Sequence, residues 1–213
     1  MCNNHIPPSI ASARLGFNIL NDYKCAILEF VMKKVVLFID GNNFYYGLKS
    51  IYGEDKHLTN FNFNKLGNIL AGKDREFLRA FYYNASLDFS DDETKYWKQQ
   101  KFFDKIRNTD KVKLILARLQ KRRIKGTTKH YYVVKGDDIH IAVDMIKGTY
   151  ENTFDIAILV SGDGDFVPAV KVVQEKGKSV ENAYFQKSLS WHLKQECDSS
   201  ICLTKEILDK CFD

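Results

Sequence analysis

Two kinds of hydrophobic pattern alternate along this chain. Short continuous apolar runs, such as VVLFI (35–39) and DIAILV (155–160), stand between stretches where apolar residues recur every three or four positions. The runs have the length and composition of strands buried on both faces, and the periodic stretches have the spacing of helices packed on them. From Met32 onward the pattern predicts a strand at 35–39, helical or partly helical segments at 42–52 and 62–71, and a strand within 76–86. An amphipathic helix follows at 91–108, then strands at 113–119 and 130–134 joined by a basic, glycine-containing loop. A helix at 136–150, a central strand at 155–160, a helix at 165–177 ended by Gly177 and a last strand at 178–185 complete the pattern, with one or two short helices after Ser188. In helix 136–150, Ile139, Ala142, Val143 and Ile146 fall at i, i+3, i+4 and i+7 and are expected to face the core. Such alternation favours an α/β fold with a mainly parallel sheet.

Residues 1–31 lack this clear patterning and hold two of the three prolines, Pro7 and Pro8, so we expect an extension outside the fold. The domain is expected over 32–196, with a helical tail at 197–213 packed on it. The length suits one domain, and 45% apolar residues with 13% aromatics suffice for a packed core. Five cysteines without a CxxC pair argue against both a disulfide framework and a zinc site. No apolar run approaches the ~20 residues of a membrane span, and no secretory signal opens the chain, so the expectation is a cytoplasmic protein without a membrane partner. A net charge of +5 is compatible with a nucleic-acid partner without requiring one.

The stretch ILVSGDGDFVPAV (158–170) changes this picture. Asp163 and Asp165 follow the central strand, and Asp40 directly follows VVLFI, so two buried strands deliver carboxylates to the edge where α/β sheets carry their functional crevices. On helix 136–150, Asp138 lies about 90° from the centre of the expected core face, where a side chain can lean into a cleft. Asp137 and Asp144 lie farther round and are expected to be more exposed, with Asp144 the weaker second candidate. Each aspartate taken alone is explained by helix capping or a turn. Three elements converging on one edge point instead to a shared cation, because clustered carboxylates raise one another's pKa unless a positive charge sits among them. Hard, oxygen-preferring Mg²⁺ or Mn²⁺ fits that requirement, and Gly162 and Gly164 are expected to leave room for it and for a phosphate.

The blocks FIDGNNFYYGL, KGDDIHIAVDMI and ILVSGDGDFVPAVKVVQEKGKSVE resemble, in order and spacing, the three signature blocks of NYN domains of the LabA-like type. The resemblance covers about residues 33–196. It implies a PIN-like fold, a three-layer α/β/α sandwich with a central parallel sheet, and metal-dependent cleavage of RNA. It places Asp40, Asp138, Asp163 and Asp165 as the acidic residues that hold the metal and carry catalysis, with Asn43 hydrogen-bonding a liganding carboxylate or the substrate phosphate. Ser161 is expected to support the acidic residues by donating a hydrogen bond. The family often has an apolar residue where this chain has Asp137.

Such a site suits phosphodiester hydrolysis, with a metal-activated water as nucleophile. For the substrate side, residues 111–135 carry nine Lys/Arg and no acidic residue, with Lys121, Arg122, Arg123 and Lys125 bunched to meet a phosphate backbone. Tyr45, Tyr46, Tyr131 and Tyr132 offer rings for stacking on unpaired bases, which favours single-stranded RNA as partner. The alternative is an RNA-binding or regulatory module with a silent site. Toprim-like and phosphatase readings fare worse, since Asp40 replaces the glutamate of the first and Asp40-Gly41-Asn42 breaks the paired carboxylates of the second. A homodimer remains open.

Overall fold

A computed structural model describes residues 32–53, 58–127 and 130–213, with Lys33–Asp213 forming one compact unit. The extension expected at 1–31 lies outside the described residues. In chain order the elements are β1 (Lys33–Asp40), α1 (Gly41–Tyr52), α2 (Phe63–Ala71), β2 (Arg75–Ala85), α3 (Glu93–Arg107), β3 (Val112–Arg123), β4 (His130–Lys135), α4 (Asp137–Tyr150), β5 (Ile156–Val160), α5 (Val167–Glu175), β6 (Ser179–Tyr184), α6 (Trp191–Glu196), β7 (Ser199–Cys202) and α7 (Lys205–Asp209). The seven strands lie in the order β4-β3-β2-β1-β5-β6-β7. Every neighbouring pair is parallel except β3 and β4. Helices cover both faces, giving the expected three-layer, PIN-like α/β/α sandwich with a mainly parallel sheet.

Strand β1 explains the layering, because its side chains alternate between two buried faces. Val35, Leu37 and Ile39 join one hydrophobic core with α1, α2, α3 and α7, while Val36 and Phe38 join a second with α4, α5 and α6. The first core is aromatic: Phe44 meets Phe61 at 5.1 Å and Phe185 at 5.6 Å, and Phe63 meets Tyr82 at 5.2 Å. Gly47 of α1 lets Phe185 in, since a Cβ there would overlap that ring.

The chain winds from β1 outward through β2 and β3 and then returns to place β5 on the other side of β1. The strand order therefore reverses between β1 and β5, and a crevice opens at such a switch point beyond the carboxyl ends of the strands. Ile39 pairs with Val160 in register, so Asp40 and Ser161 leave the sheet side by side. Asn182 of β6 fixes this exit by donating from its buried amide to the carbonyls of Leu159 and Ser161, at 3.1 and 2.8 Å.

Three expectations need correction. β3 continues to Arg123, so most of the expected basic loop is strand, paired antiparallel with β4. Only the Lys113–Ala117 part of β3 and Val112 lie against β2; the rest is a two-stranded ribbon reaching beyond the sheet. The strand at Ser179–Tyr184 is not the last, because Ser199–Cys202 adds a parallel strand in the segment expected to be helical, before α7 closes the chain. Four alternating residues are too short a run to announce a strand by pattern. Finally, α4 turns a different face inward: Ile139 is 69% exposed and Val143 53%, while Ile141, Met145, Gly148 and Thr149 are buried. The helix carries apolar residues on two stripes, and the stripe containing Gly148 wins because a helix lacking a side chain there can approach Phe154 closely.

Candidate active site

Asp40 is 8% exposed at the end of β1. One carboxylate oxygen accepts from the Asn43 backbone N–H at 3.0 Å, which caps α1, and the other accepts from the Ser161 hydroxyl at 3.0 Å. Burial raises its pKa; the N–H of Asn43 and the Ser161 hydroxyl oppose the rise, and the nearby charge of Asp137 adds to it. Ser161 thus donates to a carboxylate, and its hydroxyl oxygen also accepts from the Asp163 N–H at 3.1 Å. A single hydroxyl ties the exits of β1 and β5 together.

Asp163 turns back on its own loop, accepting from the Asp165 N–H at 2.9 Å, the cap of a short 3₁₀ turn at Gly164–Phe166 that leads into α5. The capping explanation therefore holds for one oxygen of Asp163 and one of Asp40, and each retains acceptor capacity beyond it. Asp165 is exposed. Gly162 and Gly164 serve packing rather than leaving open room. A Cβ on Gly162 would collide with the Ser188 carbonyl oxygen, and one on Gly164 would come within 2.9 Å of the Ser190 hydroxyl. These glycines let the 186–190 segment close against the loop.

The α4 carboxylates arrive through Gly136, whose φ of 91° turns the chain from β4 into the helix. Asp138 is exposed by surface area, yet its carboxyl is pushed up to about 6, by lost solvation first and then by the charges of Asp137, Asp40, Asp163 and Asp165. The carboxylates that raise it come from the end of β1, from α4 and from the loop after β5. Asp137 is half-buried and accepts a long 3.5 Å contact from the Asn42 amide. It was expected to point away, as was Asp144, which is half-buried and accepts from the Tyr83 hydroxyl at 2.9 Å. Both errors follow from the misplaced core face: counted from Ile141 and Met145, Asp137 and Asp144 flank the buried stripe. The signal was present in Gly148, whose missing side chain marks the side of closest approach.

The donor set is all oxygen, which suits Mg²⁺ or Mn²⁺ rather than zinc. Among the described residues no three carboxylates converge tightly enough to hold one ion in common. That spacing is compatible with Mg²⁺, which keeps several waters and takes only one or two carboxylates directly. A further observation fits a bound polar group: Asn43 Oδ1 is buried without a hydrogen-bond partner at the same edge, although buried acceptors are nearly always satisfied.

The basic ribbon rises beside these groups, because β4 runs straight into Gly136 and α4. Lys121, Arg122 and Arg123 stand on β3, with Lys121 and Arg122 paired in register to Tyr132 and Tyr131, and Lys125 stands in the turn. Arg122, Arg123 and Lys125 are exposed. Tyr45 and Tyr46, 42% and 67% exposed, lie on the first turns of α1, directly after Asp40.

Compared with known proteins, residues 34–204 match the family model of the NYN domain. No curated protein matches the chain. Among solved structures, a protein of unknown function from Vibrio parahaemolyticus aligns over 82% of this chain and 95% of its own, at 23% identity and a TM-score of 0.59. That likeness concerns the fold. A possible 1-phosphofructokinase from Thermotoga maritima aligns over 75% of this chain and 57% of its own, at 8% identity and a TM-score of 0.36, too low to bear on the argument.

Proposed function

Because the chain belongs to the NYN domain family, a family of PIN-like nucleases, we propose that it is a divalent-metal-dependent endoribonuclease of the LabA-like branch, acting on single-stranded RNA. The observation that carries this reading is the convergence of three elements at the switch point of the sheet, where Ser161 links Asp40 to the Asp163 N–H and the Asn42 amide reaches Asp137 of α4. In this reading Asp40, Asp138, Asp163 and Asp165 would share Mg²⁺ or Mn²⁺, one or two of them directly and the others through waters on the ion. A cation held there would supply the acidity that turns a bound water into a nucleophile and the charge that offsets the leaving oxygen.

The chain's own residues supply position and proton acceptance. Asp40, fixed by the Asn43 N–H and the Ser161 hydroxyl, presents its remaining lone pairs in one direction. Asp165, whose N–H makes the capping bond while its exposed carboxylate stays outside it, orients the attacking water and accepts its proton. Asn43 Oδ1 accepts from a ribose hydroxyl of the substrate or from a water on the cation, and Asp144 steadies Tyr83 at the side of the site. Lys121, Arg122, Arg123 and Lys125 hold the RNA backbone along the ribbon. The location that follows from this chemistry is the cytoplasm; among the described residues no helix is long and apolar enough to cross a membrane.

Labelled single-stranded RNA incubated with Mn²⁺ or Mg²⁺ tests the proposal, with EDTA and Asp163→Asn as controls. Cleavage that needs the metal and Asp163 is the expected result. RNA that is bound but stays intact under every condition would leave the alternative, an RNA-binding module with a silent site, in its place. Cleavage surviving Asp163→Asn would refute the assignment of the site.

A further inference from the structure

Helices α4, α5 and α6 cover the second face of the sheet unevenly. They seal β1, β5 and β6, whereas Leu78 and Phe81 of β2 and Ile115 of β3 are only partly buried on that side. Between α4 and this bare half runs a groove with a cavity of about 280 Å³. Its floor is apolar, formed by Val36, Phe38, Leu78 and Phe81, and its walls carry Arg79 of β2, Lys113 of β3 and Lys147 of α4. The cations thus come from three elements that only the folded chain brings together.

Two carboxylates also line the groove, and both have partners. Asp144 accepts from the Tyr83 hydroxyl, and Glu151 pairs with Lys147 at 3.7 Å. Arg79 and Lys113 have no ion pair with any described residue, and Lys113 Nζ lies 5.9 Å from the centre of the Phe81 ring. Both cations are exposed, so their charge faces whatever enters. Three cations against two carboxylates leave the lining with a net positive charge, and this charge above an apolar, partly aromatic floor fits a chain of bases linked by phosphates. At about 280 Å³ the cavity is at the small end for ligand pockets, with room for a splayed base and its sugar rather than a double helix.

The groove and the acidic edge share helix α4. Asp144 is part of the groove's lining, and Asp137 and Asp138 lie about two turns earlier on the same helix. We propose that the groove between α4 and the β2–β3 half of the sheet holds the unpaired flank of a nucleic-acid strand, with Arg79 and Lys113 on its phosphates. This rests on the nucleic-acid reading of the acidic edge and adds to it a contact with the unpaired strand that is separate from the basic ribbon.

Fluorescence anisotropy of a labelled 12-nucleotide oligouridylate, in EDTA so that no cleavage occurs, tests it on the full chain. The wild type should bind the oligouridylate more tightly than a 12-base-pair RNA duplex. Arg79→Ala with Lys113→Ala should weaken binding about tenfold at low salt and reduce the slope of log Kd against log salt by about 1.4, two single-strand phosphate contacts. Both residues are exposed, and an unchanged melting temperature confirms that the variant folds. Unchanged binding in that variant, or preference for the duplex, would overturn the groove even if the wild type cleaves RNA with Mn²⁺. Groove-dependent binding without cleavage under any metal would overturn the nuclease reading alone, and no binding of either RNA would overturn both.

Discussion

On one face of the sheet, aromatic rings from α1, α2, α3 and the strands interlock until almost nothing is exposed; Phe44 is 0% accessible and touches three neighbouring rings. On the other face the packing is complete over β1, β5 and β6 and stops short over β2 and β3, where Phe81 stays half-buried beside exposed Lys113. The contrast separates two tasks. The first face supplies stability that does not depend on what binds, while the second trades packing for a surface continuous with the carboxylates. A sheet buried unevenly can hold its strand ends rigid from one side and present them from the other.

Phe44→Ala attacks the sealed face where it is tightest and should cost about 3–5 kcal/mol, the usual range for deleting a buried ring. Chemical denaturation measures it as a fall in the midpoint at unchanged slope. A cost below ~1 kcal/mol would mean that the aromatic face does not carry the stability assigned to it.

Tyr83→Phe probes the seam between packing and site. It removes the 2.9 Å hydrogen bond to Asp144 and leaves a half-buried carboxylate without that donor, at a cost of about 1–2 kcal/mol. Burial and the charge of Asp144 raise the Tyr83 pKa well above the ordinary tyrosine range, so the hydroxyl stays protonated and donating throughout the neutral range. Equal stability of wild type and variant in urea titrations would remove this bond from the account. Phe81→Ala, on the open face, should cost about 2 kcal/mol, less than Phe44→Ala, because the ring stacks on Phe38 but is only partly buried. If Phe81→Ala proves as costly as Phe44→Ala, the two faces are alike and the contrast fails.

The sealed half was largely legible in the sequence. VVLFI and DIAILV stand out because buried parallel strands need continuous apolar residues, and their following aspartates mark the edge where they end. What escaped reading depends on contacts between distant segments. The inward stripe of α4 is decided by close approach at Gly148 and not by the count of apolar residues, so Asp137 and Asp144 were expected farther out than they lie. The tight fit of Gly162 likewise depends on Ser188, which pattern along the chain cannot bring next to it. β3 runs past its predicted end because a ribbon partnered by β4 tolerates charged residues on an exposed strand.

Asp138 gives the finest test, since its shifted titration is the electrostatic signature of the acidic edge. Its pKa of about 6 in the fold lies above the ordinary 3.8, so in this pH range the folded chain binds more protons than the unfolded one. Stability contributed by that site is therefore lost as pH rises from about 4 to about 6, and above that range the fold carries an unfavourable charge. Asp138→Asn removes the charge and should stabilise the metal-free protein at pH 7.5, by no more than about 1 kcal/mol because the side chain is exposed and solvent screens it. At pH 3.5 both side chains are neutral and the gain should vanish. Melting temperatures measured in EDTA across this range decide the point. A gain that is the same at both pH values would come from packing, and a loss at pH 7.5 would mean that Asp138 is stabilised by its surroundings instead of strained by four neighbouring carboxylates. Mn²⁺ should reverse the order at neutral pH, raising the melting temperature of the wild type more than that of Asp138→Asn, because only the ionised carboxylate gives the cation a charge to bind.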